Sequence, residues 1–176
     1  VSAVIDDDTP TPEHALFRKS RLAKVVAVCL ALWLLPMGIL MAYQGWHGTL
    51  TQMSWFFTKA ALLTFGGAYA VLPYVYDGGV NQFGWLSGAQ MMDGLALGET
   101  TPGPLIMVVS FVAFLGGWSK QVLGPDALFL GASLAAILTT WLTFLPSFMF
   151  ILAGGPLVET THNNLKFTAP LTAITA

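Results

Sequence analysis

The sequence predicts an all-α fold, a multi-pass membrane helical bundle in which one segment is broken into half-helices. Three observations lead there. Of 176 residues, 55% are hydrophobic and 9% charged, with a mean hydropathy of +0.70, whereas a soluble domain carries about 25% charged residues. The few charges are also unevenly placed: between residues 25 and 165 they are Lys59, Asp77, Asp93, Glu99, Lys120, Asp126 and Glu159 alone. Third, the uncharged runs between them approach or exceed the ~20 residues that cross a bilayer as a helix, and one is interrupted by Pro102-Gly103-Pro104. This composition excludes a nucleic-acid binder, a disordered tail and a soluble enzyme, and the net charge of -2 decides little.

The elements follow in chain order. The stretch Asp6-Asp7-Asp8-Thr9-Pro10-Thr11-Pro12 is acidic, proline-bearing and without an apolar face, so residues 1–21 read as a linker-like cytoplasmic segment rather than a signal peptide. Residues 22–176 read as the membrane domain. Its first span is predicted over 25–43. Arg18, Lys19, Arg21 and Lys24, four of the seven basic residues, precede it and place its start in the cytoplasm. Pro36 is expected to kink it. In the turn that follows, Trp46 can rest at the headgroup level.

The second span, 53–75, carries Lys59, Gly66-Gly67 and Pro73. At helical spacing Lys59, Leu63, Gly66, Ala70 and Pro73 share one stripe, which is expected to face the bundle interior. Residues 76–88, with Asp77-Gly78-Gly79 and Trp85, read as a Gly-rich connection back toward the cytoplasm. The third stretch, 89–118, is split at Gly98-Glu99-Thr100-Thr101-Pro102-Gly103-Pro104. Each proline removes a donor and clashes with the preceding turn, so half-helices are expected over 90–97 and 104–115. A fourth span covers 127–158, with a bend at Pro146 and Ser147. Residues 167–176 are apolar for about half the ~20 residues that a spanning helix needs, so the domain is expected to continue into another membrane segment.

Unwound backbone at membrane depth is tolerated only where protein buries it or where it lines a wet cavity. The break at 98–104 is therefore the candidate site. Thr100 or Thr101 is expected to cap the half-helix beginning near Pro104, whose free N–H groups and positive dipole end suit an oxyanion. Substrate sites in secondary transporters are commonly built from such discontinuous helices. The plainer alternative is a Pro-Gly-Pro kink required by packing. Ionisable groups in membrane segments usually serve a pathway or a partner, and two readings of Glu99 and Asp93 stand side by side: a proton-coupling carboxylate, or a counter-ion of Lys59. Lys59 either holds an anion as a point charge or snorkels to the interface. Gly66 and Gly67 either expose backbone donors to substrate or permit close helix contact. The single Cys29 and the scattered His14, His47 and His162 predict no metal site, and no cofactor motif or nucleophile–base pair is present in the sequence.

Phe65-Gly66-Gly67-Ala68 with Val71-Leu72-Pro73, then Gly84-Trp85-Leu86, then the unbroken run from Gln90-Met91-Met92-Asp93 through Gly98-Glu99-Thr100-Thr101-Pro102-Gly103-Pro104-Leu105, closely resemble the chromate transporter family. Phe144-Leu145-Pro146-Ser147 is similar to a later stretch of the same family. The resemblance covers most of the chain from about residue 22 onward and is nearest to the C-terminal half of long members, which are built as two homologous halves. It implies one repeat of a two-repeat transporter in a bacterial inner membrane, exporting chromate and conferring chromate resistance, with sulfate as a structural relative or competitor. It further implies proton-motive-force coupling, and a partner half or a homo-oligomer alongside the lipid bilayer. The substrate ligands it suggests are Thr100, Thr101, Gly103 and Pro104, with Gly66, Gly67 and Lys59 opposite. An anion channel and a structural membrane subunit are the alternatives.

Overall fold

In the computed structural model, residues 18–63 and 68–159 are described, and among them every regular element is helical. In chain order these are α1 (Lys19–Gln44), α2 (Thr49–Leu63), α3 (Ala68–Tyr76), a π-helical turn (Asp77–Gln82), α4 (Gly88–Thr100), a 3-10 turn (Leu105–Met107), α5 (Val108–Ser119), a second 3-10 turn (Pro125–Ala127) and α6 (Leu128–Glu159). Residues 1–17 of the expected linker, Gly66 and Gly67, and residues 167–176 lie outside the described residues, while residues 19–21, also assigned to that linker, are the start of α1. The chain divides into two compact units. One takes α1 up to Leu30 and α6 from Phe148, and its side chains Val28, Leu30, Phe148, Ile151 and Leu152 are exposed apolar groups. The other, Ala31–Ser147, holds the core and everything described below.

Among the described residues two helices are long and apolar enough to cross a bilayer: Lys19–Gln44, and Pro125–Pro156 with its leading 3-10 turn. Both are apolar nearly all round, as helices surrounded by lipid are. α1 runs through Pro36 and α6 through Pro146 without interruption, so neither proline ends its helix. The two central stretches are instead assembled from shorter pieces, α2 with α3 and α4 with α5.

The connection after the second span differs from expectation. Rather than an open Gly-rich loop, α3 winds directly into the π-helical turn Asp77–Gln82. Two features explain it. The Asp77 carboxylate accepts hydrogen bonds from Asn81 Nδ2 at 2.9 Å and Gln82 Nε2 at 2.8 Å, tying the wide turn across its own span. Gly78 and Gly79 let the turn lie against side chains: a Cβ at Gly78 would collide with the Phe56 ring, and one at Gly79 would sit 3.1 Å from Leu86 Cδ2. Gly84, at φ +57°, then reverses the chain, and Trp85 donates its amide to Gly79 O at 2.7 Å.

That reversal carries Trp85 into the centre of the core, where it is 1% exposed. Its ring stacks on Phe83 at 4.6 Å and on Phe57 at 5.7 Å, and meets Phe56 edge-on at 5.5 Å; Phe56 in turn stacks on Tyr74 at 4.5 Å. The base of the Trp85 side chain rests on α5 at Gly116, where any Cβ would strike Met53 and approach Trp85 Cβ to 2.8 Å. Gly117, next in sequence, lets α6 close on α5, with Ala135 and Ala132 at 2.8 and 2.9 Å from where its Cβ would be. Ser119 Oγ donates to Trp85 O at 2.8 Å.

Two expectations follow. Trp85→Ala removes the ring that α2, the π-turn and α5 share, and is expected to destabilise the protein by about 3–5 kcal/mol, measured as denaturant unfolding in detergent micelles. The hydrogen bonds from Asn81, first, and Gln82 hold the Asp77 carboxyl below its ordinary value of 3.8. Its contribution to stability is therefore complete above that value and lost as pH falls through the lower folded one. A carboxyl titration followed by NMR should find the Asp77 midpoint below 3.8, and Asn81→Ala should move it upward.

Candidate functional site

The two sides of the break are terminated by different means. α4 opens on a capping box: Ser87 Oγ accepts from the Gln90 amide at 3.2 Å while Gln90 Oε1 accepts from the Ser87 amide at 2.9 Å. The helix runs past residue 97 and ends at Thr100. Its last turn is closed by threonine hydroxyls. Thr100 Oγ1 donates to Ala96 O at 2.9 Å, and Leu97 O takes both the Thr101 hydroxyl at 2.6 Å and the Thr101 amide at 3.0 Å. The expectation that Thr100 or Thr101 caps the following helix is corrected: no side chain accepts from an amide of the turn after the break, and these two hydroxyls bond back into α4.

Pro102 ends the helix by its missing N–H and by forcing Thr101 out of the α region, to φ -83° and ψ 128°. Pro104 is likewise extended, at ψ 128°, and the chain re-enters helix through the 3-10 turn Leu105–Met107 before α5 begins at Val108. The second half-helix therefore starts with a tight turn and continues to Ser119, beyond the expected 115. Met107 N–H closes on Pro104 O at 2.9 Å, but the amides of Leu105 and Ile106 have no acceptor among the described residues. These are the orphan donors that every helix start presents. No hydroxyl caps them.

A concave pocket of about 490 Å³ lies at this break. The break itself contributes Thr101, Pro102, Gly103 and Pro104; α4 contributes Gly94, Leu97 and Gly98; and the turn and α5 contribute Met107, Val108, Ser110 and Phe111. Its walls are largely apolar, and Thr101 and Ser110 are its polar side chains. Gly103 takes no left-handed backbone angle, and a Cβ there would meet nothing within 4 Å. The missing side chain is space left in the pocket. Gly94 and Gly98 do the opposite work of letting α4 and α5 meet: a Cβ at Gly94 would lie 2.5 Å from Phe111 Cδ1, and one at Gly98 3.3 Å from Leu105 Cδ1.

Of the sequence-predicted residues, Thr101, Gly103 and Pro104 line the pocket, and Thr100 and Glu99 sit beside it on the exposed end of α4. Asp93 is exposed on the same helix. Lys59 is elsewhere: its Nζ lies 6.0 Å from the centre of the Trp55 ring, one turn back along α2, and no ion pair joins it to Asp93 or Glu99 among the described residues. Trp55 in turn meets Trp46 at 6.0 Å and Trp33 at 6.1 Å. Sequence reasoning passed over Gly94, Met107, Ser110 and Phe111. The first had a signal in its four-residue spacing from Gly98, whereas Ser110 is one hydroxyl in an apolar run. Among the described residues, no three of His, Cys, Asp and Glu come together to hold a metal.

Residues 51–176 match a family described as "Chromate transporter". The chain is 32% identical over 126 residues to a "Probable chromate transport protein" of Synechococcus elongatus, covering 72% of this chain and 28% of that relative. It is 34% identical over 156 residues to a "Chromate transport protein" of Pseudomonas aeruginosa, covering 88% and 34%, and 35% identical over 107 residues to one of Cupriavidus metallidurans, covering 61% and 23%. The chain thus spans about a third or less of the length of these relatives. No solved structure matches it.

The close contact of α4 with α5 gives a graded expectation. Gly94→Ala drives a methyl into the Phe111 ring and should cost about 1–3 kcal/mol, while Gly103→Ala, which meets nothing, should stay within about 0.5 kcal/mol of wild type. Thermal unfolding in detergent checks both.

Proposed function

This chain belongs to the chromate transporter family, and from that premise we propose that it forms part of a secondary transporter moving chromate, or a related tetrahedral oxyanion such as sulfate, out of the cell across the bacterial inner membrane. The observation that carries the proposal is the pocket at the broken helix; the unengaged amides of Leu105 and Ile106 belong to the turn between its lining residues Pro104 and Met107.

A carrier must bind its substrate and then let it go. A tetrahedral dianion needs several directed donors, and the start of a helix supplies them together with the positive end of its dipole. No lysine or arginine lines this pocket, so the anion is held by hydrogen bonds that are readily exchanged for water on release. Gly103 admits the anion to the backbone, and the prolines on either side of it keep the break from closing into continuous helix. Apolar walls from Leu97, Met107 and Phe111 limit competing water and strengthen those bonds.

Glu99 is the group we assign to proton coupling. It lies between Gly98 of the pocket and the threonines that end α4, one turn from the anion, so its protonation changes the field at the site as the substrate arrives or leaves. Asp93 is less well placed, nearly two turns earlier on α4. The exposed face of α4, which holds Met92, Asp93, Leu97 and Glu99, is where we place a homologous partner half or a second copy. Lys59 is assigned a place near the interface, its ammonium reaching back over Trp55.

Chromate uptake into inverted membrane vesicles from cells expressing the full protein tests this. Gly103→Leu should fold normally and lower chromate uptake at least about tenfold, because the new side chain fills the pocket; unchanged uptake refutes the site. Glu99→Gln should preserve chromate exchange between equal pools but abolish its acceleration by a pH gradient. Full gradient-driven transport in that variant would end the coupling role. Flux that never saturates and ignores the proton gradient would instead mark an anion channel.

A further inference from the structure

Three hydroxyls surround the break, and their hydrogen bonds differ in kind. Those of Thr100 and Thr101 donate to backbone carbonyls of α4. A carbonyl has no hydrogen to give in return, so either threonine must abandon its bond outright to donate to a ligand. Ser110 is different. It stands in the first turn of α5 on the pocket wall, and its Oγ lies 2.7 Å from Oγ1 of Thr140 on α6, with either oxygen able to be the donor. Thr140 Oγ1 is also 2.8 Å from Ala136 O, four residues back on its own helix.

Each of these hydroxyls has one hydrogen and two lone pairs, and this leaves two arrangements of the same heavy atoms. In one, Thr140 donates to Ala136 O and Ser110 donates to Thr140, so that Ser110 shows only lone pairs to the pocket. In the other, Thr140 turns its hydrogen to Ser110, and Ser110 turns its own into the pocket. Each hydroxyl keeps its proton, and only two torsions change. The bond given up is the one to Ala136 O, a carbonyl that also accepts the helical amide of residue 140, so no carbonyl is orphaned. Around the break, Ser110 alone can deliver a side-chain hydrogen to an anion and remain hydrogen-bonded behind.

We propose that Ser110 is the side-chain ligand of the oxyanion and that Thr140 is its positioning residue, completing from α6 a site whose other donors are backbone amides. This rests on the assignment of the pocket as the oxyanion site. It moves the side-chain contact from the threonines of the Gly-Glu-Thr-Thr stretch to a residue on the far side of the break. It also makes substrate binding reach α6, because Thr140 changes its hydrogen-bond partner whenever the site fills. A purely structural pair, pinning α5 to α6, would have no such dependence on substrate.

The test is equilibrium dialysis of radiolabelled chromate against the full chain in lipid nanodiscs, with thermal unfolding of each variant measured alongside. Ser110→Ala is expected to weaken chromate binding about tenfold, in the range for losing a hydrogen bond to a charged group. Thr140→Val should weaken it about threefold, Thr140→Ser should restore it, and the unfolding temperatures should stay close to wild type. Ser110→Cys, similar in size and a poor donor, should match the alanine variant and serves if that one does not assemble. Chromate binding unchanged in Ser110→Ala or Ser110→Cys overturns the proposal, as do equal losses of thermal stability in Ser110→Ala and Thr140→Val with no change in binding. If wild type binds chromate and Gly103→Leu does not, while Ser110→Ala binds normally, this inference alone fails; if wild type binds none, the pocket assignment fails with it.

Discussion

A backbone amide at membrane depth has no water to donate to, and in the proposed function that constraint governs residues 101–104. Each unsatisfied group in hydrocarbon costs several kcal/mol, so a chain that breaks a helix there must find partners for the groups it frees. On the α4 side Thr100 and Thr101 direct their hydroxyls to Ala96 O and Leu97 O, adding a second donor to carbonyls within the last turn, of which Leu97 O also takes the Thr101 amide. The α5 side is left with free donors at Leu105 and Ile106. Amides left available at a helix start suit an anion, and that is the group the proposed function places there.

Holding this geometry is a packing problem, and glycines solve it at three levels. Gly94 and Gly98 bring α4 against α5 beside the break, Gly116 seats Trp85 behind α5, and Gly117 admits α6. The half-helix that starts at the pocket is thereby fixed from both flanks. Trp85 matters most here because its ring is shared by elements that do not follow one another in sequence: Phe56 and Phe57 on α2, Phe83 after the π-turn, and Gly116 on α5. With α5 packed in this way, Ser110 Oγ lies 2.7 Å from Thr140 Oγ1 on α6.

The sequence was legible where physics acts locally. Two prolines around Gly103 can only interrupt a helix, and the interruption falls inside the expected 98–104, shortened because α4 runs on to Thr100; the uncharged run 25–43 lies within α1, and 127–158 lies within α6 except for Ala127, which ends the 3-10 turn before it. What could not be read depended on partners distant in the chain. Nothing in Asp77-Gly78-Gly79 announces a π-helical turn, because its glycines are needed by the Phe56 ring and by Leu86 and Val112, and its carboxylate by Asn81 and Gln82. The direction of the threonine hydroxyls was misread for a related reason. Thr next to a helix end is suited both to capping the helix that follows and to bonding back four residues, and the extended backbone of Thr101 and Pro104 carries the chain away before either threonine can face the next amides. Ser110 gave no signal because its meaning lies in Thr140, thirty positions on.

The scarce charges complete the argument. Lys59 turns back toward Trp55, which touches Trp46 and Trp33, so its ammonium runs toward the α2 start and the indole of the preceding turn, the direction in which a membrane lysine snorkels. That leaves Asp93 and Glu99 without a cation in contact among the described residues, both on the uncovered face of α4. A carboxylate facing lipid is expensive, and two on one helix are not carried there for packing, since Met91 and Gly94 already supply its buried side. In the proposed function the charge of Glu99, one residue from Gly98 of the pocket wall, would be resolved by protonation, and that of Asp93, farther from the break, by a neighbouring surface. On that proposal the same face of α4 would join the proton path to the contact with a partner half, and a change in one would reach the anion through the last turn of α4.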